Sequence, residues 1–566
     1  MGKPKRLCRF TPELRNKYSF LKEINGSDSE LLCGKCKRTF SISHGGGYDI
    51  ERHIQSIKHK SADIAVSSSK SLTTYYKSSA PSSRDLEIAA AEGAWAYHTV
   101  SENQSFRSHD CFSKLTQACF EPKFHCARTK CEKIVTNVFA PYAIDILTNQ
   151  LKNANCISIL TDASNHGNIK LFPLLVRLFD PLYGIQIKIL NVESQPGETS
   201  DIIINYIVKT IDDNNIRNKV AAFCGDNTNC NFGGVSRRGT NNVFHKLQGK
   251  LGKQLIGVGC AAHIIHNAIQ TAADCLPIDI ECIIVKIYSF FYIYTVRVEE
   301  LKDFCMFVEI EYKAILGYSK TRWLSLMPSV ERILKLFPAL KSYFLSLDKV
   351  PLILKTFFND PCAELWQLEY DGLVQESDIQ TVIESFYSTS EQYLTSWTSH
   401  FEELEIMECI TLKKVPNWSE IEKVAEFISN KGFFNPNNDT ALFDQFMLTL
   451  QYVTQEKIDE WNLEKKSTDQ RWVCIFKYFK EKDIQCDKMI IIVEYVLCLP
   501  GSNASTECVF SHISKIWTKE KTQLNVSTLK TLVITKLNFN YTCLEFYELL
   551  KKNNLLLKKI ISKDKY

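Results

Sequence analysis

The sequence has no run of about 18 or more uninterrupted apolar residues, so neither a membrane-spanning helix nor a membrane partner is expected. An apolar stretch behind the basic Met1 to Arg9 is also missing, which speaks against secretion. Cysteine is plentiful, at 21 residues, but the spacing of a secreted disulfide framework is absent. Most cysteines sit singly in apolar segments such as "NANCISIL" and "VEYVLCLP", as reduced core thiols of the cytosol or nucleus do. Overall charge is small, at +4. With 45% hydrophobic and 23% charged residues, the 566-residue chain can bury a large core and is expected to hold three or more structural units.

The charge is uneven. Residues 1–60 carry thirteen Lys or Arg against six Asp or Glu, and the rest of the chain is slightly acidic. A cationic front favours phosphate contacts through counterion release. "KPKRLCR" reads as a nuclear import signal, so the expected location is the nucleus.

The stretch "CGKCKRTFSISHGGGYDIERHIQSIKH" gives that front a chemistry. Cys33 and Cys36 form a thiolate knuckle, and His53 and His59 are expected one to two turns apart on one helix, so the four close a tetrahedron around structural zinc. A short strand and a Gly45-Gly46-Gly47 turn lie between the pairs, and Asp49 is expected to cap the helix. His44 is a rival ligand whose place before three glycines points to a loop. Arg52, Lys58 and Lys60 fall on or just beyond the helix, facing DNA phosphates. A lone finger reads only about three base pairs, so it biases location on double-stranded DNA and must work with something larger.

Residues 61–85 are rich in serine and read as a linker. From Leu86 the spacing turns helical. At "CISILTDAS" the period changes to that of buried strands, followed by "IKLFPLLVRLFD" and "IQIKILNV", a helix capped by Thr199 or Ser200, the strand "VAAFCGDN", the strand "KQLIGVGC" and a further helix. That order is RNase H-like. It sets the first and fourth strands side by side, so Asp162 and Asp226 would meet at one end of them and share a pair of divalent ions, given a third acid. Residues 327–490 hold amphipathic stretches such as "SVERILKLFPALKSYFLSL" and few strand patterns, as in an all-helical insertion.

"CGDNTNCNFGG", "GCAAHIIHNAI", "SKTRWLSL" and "LPGSNASTECVFSHISKIWTKEKTQLNVSTLKTLVITKLNF" together resemble the successive motifs of hAT-superfamily DNA transposases, and the front finger is similar to their BED-like fingers. The resemblance implies an α/β fold, an RNase H-like catalytic core interrupted by a large all-helical insertion, behind a zinc finger and a small helical domain. The implied units are a basic segment at 1–30, a BED-like finger at 31–60, the linker at 61–85 and a helical domain at 86–150. The core at 151–326, the insertion at 327–490, a dimerisation region completing the core at 491–545 and a basic tail at 546–566 follow.

By the same resemblance Asp162, Asp226 and Glu507 are the catalytic acids holding magnesium or manganese. Cys260 and His263 form a Cys-x2-His element beside them, Trp323 with its neighbour Arg322 helps hold a flipped base, and the protein works as a homodimer or higher homo-oligomer. One departure is Cys508, where the family commonly has Arg after the third acid. Two readings follow: a cut-and-paste transposase, or a domesticated nuclear DNA-binding and dimerising protein that kept the scaffold without the reaction.

Overall fold

The computed structural model describes residues 7–24, 26–68, 81–234, 239–276, 279–317, 326–358, 376–435, 439–521 and 524–565. The chain forms two compact units, Met1–Asp85 and Leu86–Tyr566.

In the first unit a helix, Pro12–Lys17, precedes an antiparallel sheet of β1 (Leu21–Ile24), β2 (Ser27–Cys33) and β3 (Thr39–Ser41). Phe10, Tyr18, Leu21, Leu31, Ile42 and Ile50 share one small apolar core, so the segment read as a basic front is partly folded into the finger. The two histidines are not on one helix. Helix Gly47–Ile54 carries His53, and a second helix, Ile57–Ser68, carries His59 and enters the stretch read as linker. Ser56 makes the break: its Oγ donates to the His53 carbonyl at 2.6 Å and accepts from the His59 N–H at 3.3 Å, closing one helix and capping the next. Asp49 is not the cap either. Gly46 stands at that position with φ 53° and ψ −120°, a conformation open to glycine, while Asp49 Oδ2 accepts from the Gly45 N–H at 2.6 Å.

The second unit is mixed α/β, mostly helical, around a mixed sheet. Its strands are β4 (Ile157–Thr161), β5 (Ser164–His166), β6 (Ile169–Asp180), β7 (Gly184–Ser194), β8 (Val220–Gly225) and β9 (Ile256–Gly259). β7, β6, β4, β8 and β9 lie in that order, the first two pairings antiparallel and the last two parallel, with short β5 also on β6. β4 and β8 are buried along their whole length, which is why "ISILT" and "VAAFCG" read as unbroken apolar runs. Ile157, Ile159 and Phe223 face a layer containing helices Ser200–Asp213 and Val243–Leu251. Leu160, Ala222 and Cys224 face the opposite layer, built from Ala504–Ile516 and Val526–Asn538 with the first helices of the unit.

Late segments close over early ones. Asn538 treats edge strand β7 as a further strand would: its Oδ1 accepts from the Ile189 N–H at 2.7 Å and its Nδ2 donates to the Ile189 carbonyl at 2.9 Å. The stretch read as a basic tail is folded too. Helices Cys543–Lys552 and Asn554–Ile561 bury Phe546, Leu550, Leu556, Leu557 and Ile560 in the core, a three-to-four-residue spacing hidden among exposed lysines. Among the described residues no helix is long and apolar enough to cross a membrane.

Helix Asp487–Cys498 is pinned to the start of the sheet by buried Glu494, whose Oε2 accepts from the Asn155 backbone N–H at 2.9 Å and side-chain amide at 2.8 Å. Burial raises the Glu494 carboxyl to about 7. The native state therefore binds a proton that the unfolded chain releases near its ordinary value, and stability falls as pH rises from about 4.5 to about 7. Glu494→Gln keeps both accepted bonds. It should leave stability unchanged at pH 4.5 and add on the order of 3 kcal/mol at pH 8, read as a raised thermal midpoint at pH 8 only; equal effects at both pH values would contradict this account.

Candidate functional site

In the first unit Cys33 Sγ lies 3.4 Å from His59 Nδ1, Cys36 Sγ 3.3 Å from His53 Nε2, and the two nitrogens are 3.2 Å apart. A zinc tetrahedron with Zn–S of about 2.3 Å and Zn–N of about 2.0 Å has edges of roughly 3.3–3.8 Å. The four donors therefore fit zinc, and they form one of the described clusters able to hold a metal ion. His44 is not in that cluster. The knuckle turns at Lys37, whose N–H bonds the Cys33 carbonyl at 2.9 Å with φ 57°. Phe40 stacks on the His53 ring at 4.1 Å, and burial pushes the His53 pKa down, which keeps its nitrogen free of a proton and ready to ligate. Arg52, Lys58 and Lys60 are exposed, Arg52 with Asp49 at 3.4 Å.

In the second unit parallel strands β4 and β8 end side by side, and the next residues are Asp162 and Asp226. Asp226 Oδ1 accepts from the Thr228 hydroxyl at 2.7 Å and from Asn231 Nδ2 at 2.5 Å, so the "DNTNCN" loop holds it. Glu507 arrives from the first turn of helix Ala504–Ile516, close enough to hydrogen-bond Asp162 and to feel Asp226. Burial, then the Asp226 charge, pushes the Asp162 carboxyl well above the usual range, and burial raises Glu507 as well. These are like charges gathered in a poorly solvated corner. Carboxylates so gathered are a ligand set that divalent cations would relieve of its repulsion.

Asn503, which sequence reasoning missed, joins these parts. It is fully buried; its N–H donates to Cys260 Sγ at 3.2 Å, its Nδ2 donates to the Thr161 carbonyl at 3.0 Å and to Asp162 Oδ2 at 3.4 Å, and its Oδ1 accepts from the Thr506 hydroxyl at 2.7 Å. Its only signal was an Asn four residues before Glu507. Cys260 thus acts as an acceptor that positions Asn503. His263, half-buried one turn further on, has its pKa lowered mainly by burial, with the Asp226 charge pulling the other way. Neither joins a metal-holding cluster among the described residues. Arg322 and Trp323 lie outside the described residues.

Removing one charge should relieve the others. Asp226→Asn is expected to stabilise the metal-free protein by on the order of 1 kcal/mol and to abolish the rise in thermal midpoint that Mn²⁺ gives the wild type. Asn503→Ala should keep the acids but weaken Mn²⁺ binding about 10–100-fold. A wild-type Mn²⁺ response in both variants would mean that the three carboxylates do not act together.

Residues 451–539 match the hAT family C-terminal dimerisation region. This segment contains Glu494, Asn503 and Glu507, so the match falls on the part of the chain that carries the third acid back to the sheet. No curated protein matches the chain. The C-terminal part of the chain is therefore similar to the dimerisation region of the hAT family, which supports a hAT-family transposase or a protein derived from one.

Proposed function

We propose that the protein is a nuclear hAT-type transposase that binds double-stranded DNA through a BED-like zinc finger, works as a homodimer, and cuts and joins DNA at Asp162, Asp226 and Glu507. The observation that carries this reading is the convergence of the three acids at the ends of β4 and β8, with Asn503 tying the helix of Glu507 to the Asp162 strand. The strand order, antiparallel through β7, β6 and β4 and parallel through β8 and β9, supports an RNase H-like core.

Two magnesium or manganese ions bound there would activate a water or hydroxyl and stabilise the leaving phosphate oxygen. The chain's own share is to hold three partly buried carboxylates at fixed positions. Asn231 and Thr228 fix Asp226, Asn503 orients Asp162, and Thr506, bonded to Asn503, sets the helix start that places Glu507. The raised Asp162 and Glu507 carboxyls must lose protons as metal binds, so metal affinity is expected to rise with pH. In the finger, exposed Arg52, Lys58 and Lys60 are placed to meet phosphates.

Cys508 favours a second reading, a DNA-binding and dimerising protein without the reaction. It is exposed directly after Glu507 and puts a thiol where a fixed cation would help neutralise the phosphate.

Mn²⁺ titration of the full chain separates the two. Two sites per chain, lost in Asp162→Asn and Glu507→Gln together with Mn²⁺-dependent nicking of supercoiled plasmid, are expected for the transposase; equal, weak binding in all three proteins would leave the second reading. For the finger, replacing Arg52, Lys58 and Lys60 with Ala should flatten the slope of log K against log salt by about 0.9 for each phosphate that is no longer neutralised, and an unchanged slope would remove these residues from the DNA interface.

A further inference from the structure

The second unit holds another cluster of soft ligands, far in sequence from both sites above. His109 is the second residue of helix Ser108–Cys119, Cys126 lies just before the next helix, and Cys131 sits inside that helix, Arg128–Ile134. Their ligand atoms lie within 4.8 Å of one another, and the side chains are 2%, 0% and 0% exposed. We propose that His109, Cys126 and Cys131 form a second structural metal site, taking zinc through one imidazole nitrogen and two thiolates.

The ligand atoms are close and shielded from water, with three soft donors and no carboxylate among them. Thr99 Oγ1 lies within hydrogen-bond reach of the Trp95 carbonyl, at 2.9 Å, and of His109 Nε2, and it has one proton for the two. When that proton goes to Trp95, Thr99 accepts from Nε2–H, and Nδ1, which lies 3.1 Å from the Cys126 carbonyl oxygen, is the lone pair a metal ion would take up. An Nε2–H held by a neighbouring oxygen is also the outer contact that metal-bound histidines commonly make. With both thiols ionised, a divalent ion leaves the cluster neutral, so its burial carries little electrostatic cost.

The surrounding chain is already fastened for such a site. The Arg128 N–H donates to Asp110 Oδ1 at 3.0 Å, Gln117 Nε2 to the Phe124 carbonyl at 2.6 Å, and the His125 N–H to Glu92 Oε1 at 2.8 Å. These bonds hold the loop between the two helices, so the three ligands need little ordering on binding. Among the described residues no fourth His, Cys, Asp or Glu joins the cluster, so a water or backbone oxygen completes a zinc tetrahedron. The ion would staple the loop to both helices.

The test uses the full chain. Zinc content by elemental analysis should be about two per chain in the wild type and about one in Cys33→Ser/Cys36→Ser, which removes the finger's ligands but leaves the second unit intact. In that finger variant, cobalt substituted for zinc should give thiolate-to-metal charge-transfer absorption, which an ion at the carboxylates cannot produce. Adding Cys126→Ser and Cys131→Ser should remove the band. A finger variant with no thiolate–cobalt absorption overturns the proposal whether or not the four-serine chain folds, as does a band that survives in the four-serine chain.

Discussion

The second unit depends on bringing a carboxylate back to two aspartates that come hundreds of residues earlier, against charge repulsion and desolvation. Asn503 is where this is done. One buried side chain and its N–H reach the end of β4, the Asp162 carboxylate and the Cys260 thiol just after β9, one turn before Glu507. Glu494 on Asn155 and Asn538 on Ile189 tie the flanking helices to the sheet at two further points. Entropy for closing a loop grows only with the logarithm of its length, so the long intervening helical stretch is tolerated once these few polar contacts and the apolar layer around Val509, Ile513 and Val533 are in place. Removing a buried polar contact of this kind costs more than its bond, because its partner stays in the interior unsatisfied.

Two raised glutamates show how burial alone misleads. Glu494 and Glu507 both sit on helices, and both have carboxyls pushed up chiefly by burial. Glu494 faces amide donors from Asn155 and acts as a clamp. Glu507 faces Asp162 and Asp226, and three carboxylates gathered together make sense where cations bind. What each group faces separates structure from chemistry. Cys260 and Cys508 differ too: one thiol is buried and accepts a backbone N–H, the other, next in sequence to Glu507, is open to solvent.

Much of this was legible in the sequence because it is local. The unbroken apolar runs of β4 and β8, the Thr199 cap and the Cys/His spacing each involve neighbouring residues, and the structure has them. Reading failed where a local signal was outweighed by a single contact. Ser56 splits one expected helix into two, and lysines in the last helices hid an apolar face that belongs to the core. Asn503 was invisible for a different reason: its partners Thr161 and Asp162 are about 340 residues away. Short β5 likewise exists only through its pairing with β6.

The match over residues 451–539 also constrains how two copies can meet. This segment spends its apolar faces inside the chain: Ile492 and Val493 in one core, Leu529, Val533 and Ile534 in another. Among its described residues, Leu463 is the one large hydrophobic side chain that stands exposed. Durable interfaces between identical subunits are built around an apolar centre, and one leucine is too little for that. A stable pair therefore draws on surface beyond this segment or exchanges some of its internal packing between copies. The second route would load the same helices that hold Glu507, making the position of the third acid sensitive to whether the protein is paired.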